Sequence, residues 1–149
     1  MTPGDIDNKV VAQRALWVHE MIAALHELHL EEKAAFFADR HKVAAAESYL
    51  RRSLEALFDL GRHILAKRFA YPATEYKEIA KGLLEKKVLE VKEAELMREM
   101  AGYRNRMVHF YHEITPEELH EICLYHLNEI KLITDKLVQW TKEHQDTIP

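Results

Sequence analysis

Glycine and proline are scarce in this chain, four of each in 149 residues, and cysteine occurs once, at Cys123. So few backbone breakers leave little room for the frequent turns of a sandwich or barrel, and no stretch sustains period-two alternation. A single cysteine excludes an intrachain disulfide and fits a reducing compartment. No apolar run approaches the ~20 residues that span a bilayer, and the opening MTPGDIDNK lacks the basic-then-apolar pattern of a secretory leader. The expectation is a cytoplasmic protein with no membrane partner. An excess of positive charge is missing too: 21 Lys and Arg against 25 Asp and Glu give a net −4. Proteins that coat duplex DNA carry a strong basic face, so DNA is not expected as a partner. Any nucleic-acid contact must be local, through a small cluster of Arg and Lys.

What is present is helical spacing. With 48% apolar and 31% charged residues, the 149-residue chain suits one domain, 1–149, around one core. Val10, Trp17, Met21, Ala24 and Leu28 form one stripe of a first helix, roughly 6–30. A long second helix, roughly 40–69, carries Val43, Leu50, Leu54, Leu57, Gly61, Ile64 and Leu65, and should stop near Tyr71-Pro72 because proline disfavours helix in the residue before it. A shorter helix spans about 75–86. A fourth, about 92–110, uses Leu96, Met100, Tyr103, Met107 and Phe110. At Thr115-Pro116-Glu117-Glu118 threonine can cap, proline suits the first helical position and Glu118 can complete a capping box. The last helix then runs to about 144 on Leu119, Cys123, His126, Ile130, Ile133, Leu137 and Trp140. The fold expected is an all-α, up-and-down bundle of four to five helices. Its long apolar faces also suit a homodimer, although the pattern does not separate a seam between copies from an internal one.

Ten histidines invite a metal reading. His26 and His29 lie three apart, as do His120, Cys123 and His126 in turn, and helical neighbours at that spacing can share a metal. Yet there is no HExxH, no CxxC and no second pair with matching carboxylates, so no metal site is expected. Glycine-rich phosphate cradles and a nucleophile elbow are absent as well, and no cofactor is implied. The charge runs Leu30-Glu31-Glu32-Lys33 and Lys81 to Lys92 read as solvated helix faces.

One stretch stands apart: GYRNRMVHFYHE, Gly102 to Glu113. It holds two arginines, an asparagine, two histidines and two tyrosines at a helix end. Arg104 and His109 alone mean little, since Arg14 and His19 share their spacing within ordinary core. Here, however, Asn105 lies four residues before His109, so its amide can reach the imidazole, and Gly102 permits close approach of another backbone. On a straight helix Arg104 and His109 would stand about 140° apart. Either the helix breaks near His109, or a second copy of the chain completes the site across a two-fold axis. The plain alternative is that both residues make only helix-end hydrogen bonds.

The segment AGYRNRMVHFYHEI resembles the signature of HEPN-domain proteins, specifically the HepT-like toxins, in which an Ala-Gly-aromatic precedes R-x4-H-x-Y. Arg104, Asn105, His109 and Tyr111 match that pattern residue by residue. The likeness covers most of the chain. EALFDLGRHI, Glu55 to Ile64, is similar to the family's acid-and-histidine helix, with Asp59 and His63 in supporting positions. Gly61 and Arg62 stand where many relatives carry Ala-Asn, a departure that touches no catalytic position. The resemblance implies a HEPN-like fold and a metal-independent ribonuclease working as a homodimer on tRNA or mRNA. His109 would do the acid–base work, Arg104 would grip the phosphate and its developing charge, and Asn105 would fix the imidazole. Arg106, Arg51 and Arg52 would steer the RNA backbone. It also implies a partner, an MntA-like nucleotidyltransferase antitoxin that silences the enzyme by adenylylating Tyr111. Two other readings remain. One is a non-catalytic helical partner or nucleotide-binding subunit of a nucleotidyltransferase; the other is a purely structural bundle.

Overall fold

The computed structural model describes residues 4–109 and 114–145, and these form helices joined by short turns, with no strand among them. In order the helices are α1 (Asn8–His26), α2 (Lys33–Ala38), α3 (Arg40–Phe69), α4 (Tyr76–Glu85), α5 (Val91–Val108), α6 (Pro116–Tyr125) and α7 (Leu127–Glu143). The 30-residue α3 is the spine, since each of the other six helices packs against it. Its buried row, Leu50, Leu54, Leu57, Phe58, Gly61, Ile64 and Leu65, runs through the middle of the core.

Helix boundaries follow local chemistry. Asp7 caps α1 by accepting the Lys9 N–H, and Asp39 caps α3 through His41 and Lys42. The Glu90 and Glu93 side chains form a reciprocal capping box at the start of α5. α3 ends as expected before Tyr71-Pro72, with Ala70 left-handed at φ 51° and the Tyr71 N–H returning to the Leu65 carbonyl. Thr115 caps α6 by accepting the Glu118 N–H, with Pro116 in the first turn. Glu118 does not complete the expected box, because both of its oxygens are held by Arg106.

Three expectations are corrected. The first helix ends at His26, not near 30, and its core row is Val11, Val18, Ile22 and Leu25, leaving Trp17 41% exposed. Beyond it the chain makes the short α2, whose Phe36 is fully buried beside Phe37 and His120. The last helix is two, broken at His126 with φ −114° and ψ 0°. α6 packs on α2 and α3, whereas α7 packs on α1, α3 and α5, so the break lets one apolar row serve two packing directions. No helix among the described residues is long and apolar enough to cross a membrane.

Candidate functional site

α5 carries the motif, and its end decides the geometry. Val108 is the last helical residue. His109 is extended, at φ −95° and ψ 113°, with its N–H still bonded to the Asn105 carbonyl. The helix therefore ends just before His109, which is the first of the two arrangements the spacing left open. Arg104, Asn105 and His109 come to line one cleft of about 580 Å³ within a single chain. The same cleft is lined by Arg62 of α3 and the Thr74–Lys77 segment that begins α4. No side chain caps α4 at Glu75, so its N-terminal amides add positive potential to this mouth.

Arg104 is held as a flat cation. Its guanidinium carbon lies 4.3 Å from the centre of the Tyr76 ring, and Tyr76 is stacked on buried Phe58 at 4.8 Å and 13°. Nη2 reaches Glu55 at 3.5 Å and Nη1 reaches the Asn105 Oδ1 at 3.5 Å, both long for N–H···O bonds. The Arg104 Nε is buried with no hydrogen-bond partner among the described residues. Burial pushes the Tyr76 phenol above its usual pKa, and the Arg104 charge opposes that rise. At neutral pH the ring is thus an uncharged shelf for the guanidinium.

The other expected site residues divide. The Asn105 amide oxygen faces Arg104, so its contact is with the guanidinium where the sequence suggested the imidazole. Arg106 makes a two-pronged ion pair with Glu118 at 2.6 and 2.7 Å, tying α5 to α6. Arg51 is bound to Glu55 at 2.6 Å. Arg52 is exposed in a neighbouring depression with Arg14, Trp17, Glu55, Ala56 and Asp59. None of these three arginines lines the cleft of Arg104 and His109. Asp59 is paired with Arg62 and Arg14. Tyr111 lies outside the described residues. Arg62, Tyr76 and Lys77 are additions, brought in from helices remote in sequence. A local signal was Glu55, Asp59 and Arg62 at i, i+4 and i+7, a polar strip beside the buried row of α3.

His63 also lies away from the cleft. Its Nε2 accepts the Asp7 N–H at 3.0 Å, fastening the start of α1 to α3. Burial, then Lys67, lower its pKa from 6.5; Asp7 pulls it up and Arg14 down. The unfolded chain consequently binds this proton more readily. The contact's stabilisation is complete above about pH 6.5 and is lost as pH falls through the lower folded value. Thermal melts should show a loss of stability on acidification that is smaller in His63→Gln, whose amide oxygen accepts without titrating.

Two of the histidines considered for metal make contacts within the bundle. His120 is buried with Nε2 2.6 Å from the Leu30 carbonyl, and His126 bonds Glu129 at 3.1 Å. Burial pushes the Cys123 thiol up to about 12, so it is not a nucleophile at neutral pH. Among the described residues no three His, Cys, Asp or Glu side chains gather as a metal set.

The described residues thus form an all-α bundle whose central helix and motif helix share an arginine- and histidine-lined cleft. Residues 18–137 match the family model described as ribonuclease HepT-like. The chain belongs to the HepT-like ribonuclease family. Its fold is similar to that of a tri-AMPylated HEPN toxin of Shewanella oneidensis in complex with MNT antitoxin, at TM-score 0.80 and 18% identity, covering 87% of this chain and 97% of that one. It is also similar to a chain of a toxin–antitoxin crystal structure with AMP-PNP, at TM-score 0.79 and 17% identity over 88% and 99%. A chain from an MntA–HpeT toxin–antitoxin mutant gives 0.78 and 16% over 85% and 96%. None of the curated proteins matches the chain.

Proposed function

We propose that this chain is the toxin ribonuclease of a toxin–antitoxin pair, cleaving tRNA or mRNA without a metal. The observation that carries the reading is the convergence of Arg104 and His109 on one cleft after the helix ends at Val108. In the reaction a base takes the proton of the RNA 2′-OH, O2′ attacks the adjacent phosphorus, and the 5′ oxygen leaves with a proton. The products are a 2′,3′-cyclic phosphate and a 5′-hydroxyl. One imidazole performs one of these proton transfers at a time. Arg104, fork-shaped and permanently charged, holds the non-bridging oxygens as charge grows on them.

A homodimer would supply a second His109 for the other transfer. Gly102 supports this. A methyl group there would meet nothing within 4 Å, so packing within the described chain does not explain a helix-interior glycine that costs about 1 kcal/mol against alanine. A second copy against α5 would explain it. Purified protein should cleave RNA in EDTA and leave cyclic phosphate ends. Cleavage that disappears in EDTA would remove the metal-independent chemistry. Absence of all turnover, with stable co-purification of a nucleotidyltransferase, would favour the non-catalytic partner instead.

The antitoxin is inferred to be an MntA-like nucleotidyltransferase that adenylylates Tyr111. The likeness to an AMPylated toxin supports this, as does the position of Tyr111 two residues past His109. An added AMP phosphate beside the cleft would repel and displace RNA phosphate. Co-expression with the transferase is expected to raise the intact mass by one or more AMP units and to suppress cleavage. Tyr111→Phe should abolish the mass gain if Tyr111 is the acceptor.

A further inference from the structure

Arginines near the motif differ sharply in how firmly they are held. Arg51 and Arg106 are locked to carboxylates at 2.6 Å. Arg62 is not. Its Nη1 stands 3.4 Å from Asp59 and its Nη2 3.3 Å from the Thr74 carbonyl, both beyond the usual N–H···O range. Its Nε, like that of Arg104, is buried without a hydrogen-bond partner among the described residues. The two guanidinium carbons lie 5.7 and 4.3 Å from the centre of the same Tyr76 ring. A cleft thus presents two loosely bonded arginines around one aromatic shelf, one from α3 and one from α5.

We propose that Arg62 is a second phosphate-binding residue of this cleft, gripping the phosphate next to the one that Arg104 and His109 act upon. The inference rests on the ribonuclease reading for the identity of the strand. Its physical basis is separate. Arg104 lies in the last turns of α5 and His109 directly follows that helix, so the reacting phosphorus belongs on that side. Arg62 lines the same cleft from α3, and its guanidinium carbon stands 5.7 Å from the Tyr76 ring centre against 4.3 Å for that of Arg104, so a second, separate fork enters the cleft from another helix. A planar guanidinium with long, weak internal bonds can exchange them for short charge-assisted ones to phosphate at little loss. Lys77 lines the same mouth and Glu75 is the opposing charge there. Arg62 can be removed without stranding a buried charge, because Asp59 is 43% exposed and keeps Arg14 at 3.7 Å.

The test uses the full-length protein and a fluorescent 2′-O-methyl RNA oligonucleotide, which binds but cannot be cut. Affinity is measured as a function of salt for wild type, Arg62→Gln and Arg62→Lys. The glutamine variant should bind about tenfold more weakly at low salt. Its slope of log affinity against log salt should be shallower by about 0.7, the loss of one phosphate contact to a single strand. Lysine should recover the slope and part of the affinity. On cleavable RNA, Arg62→Gln should raise KM with kcat within about threefold, the reverse of a transition-state contact. Unchanged affinity and slope, or no binding by wild type at low salt, overturns the proposal. A wild type that binds through Arg62 yet never cleaves would sink the ribonuclease reading and leave this site standing.

Discussion

Replacing His109 by alanine should reduce RNA cleavage by about 10³-fold while leaving the melting temperature where it was. The side chain is exposed just past the end of α5, and the His109 main-chain N–H bond to the Asn105 carbonyl is one that alanine keeps. Arg104→Ala should lose about 10²–10³-fold, the usual effect of removing one preorganised donor to a developing oxyanion. It is a less clean experiment, because Arg104 also covers Tyr76 and meets Glu55. Glu55 keeps Arg51 and is 30% exposed, so the variant should fold. Arg104→Lys is the sharper probe: it preserves charge but not the planar fork, and should recover binding far better than turnover. Cleavage and thermal melts on the same preparations separate these outcomes. Full activity in both alanine variants would move the chemistry elsewhere in the chain.

The legible parts of this protein were those decided within a few residues. Thr115 and Pro116 announced the start of α6 because a cap and a first-turn proline act locally. Arg104 and His109 were visible as a pair because the same helix end presents both. Faces were harder. Trp17 and Val18 are neighbours, and each belongs to a helical-period apolar row; packing against α3 and α7 selects that of Val18, which is fully buried. Nothing in the sequence around His126, neither proline nor glycine, marks the break between α6 and α7. Phe36 sits in a helix of six residues, too short for any periodicity to show. The far wall of the cleft could not be read at all, since Arg62 and Tyr76 reach Arg104 only after α3, α4 and α5 have packed.

That dependence makes Phe58 the core residue with the most to say about function. It is fully buried and stacks on Tyr76, which in turn supports Arg104. Phe58→Ala should cost about 3–5 kcal/mol. Against a total of about 5–15 kcal/mol that is a large share of the fold, and loss of activity would then report mainly unfolding. Phe58→Leu distinguishes the two effects. Leucine keeps much of the volume, with a stability cost of about 1–2 kcal/mol, so the variant should remain folded at 25 °C. It offers no flat face to the Tyr76 ring. The shelf can then tilt, and a shift of about 1 Å in a substrate-positioning group, the role proposed for Arg104, is enough to slow a reaction up to 100-fold. Cleavage by Phe58→Leu is therefore expected to fall well beyond its unfolded fraction, chiefly in kcat, while circular dichroism remains that of the native bundle. Wild-type turnover in this folded variant would show that Arg104 finds its position without the Phe58–Tyr76 stack, and that the stack serves stability alone.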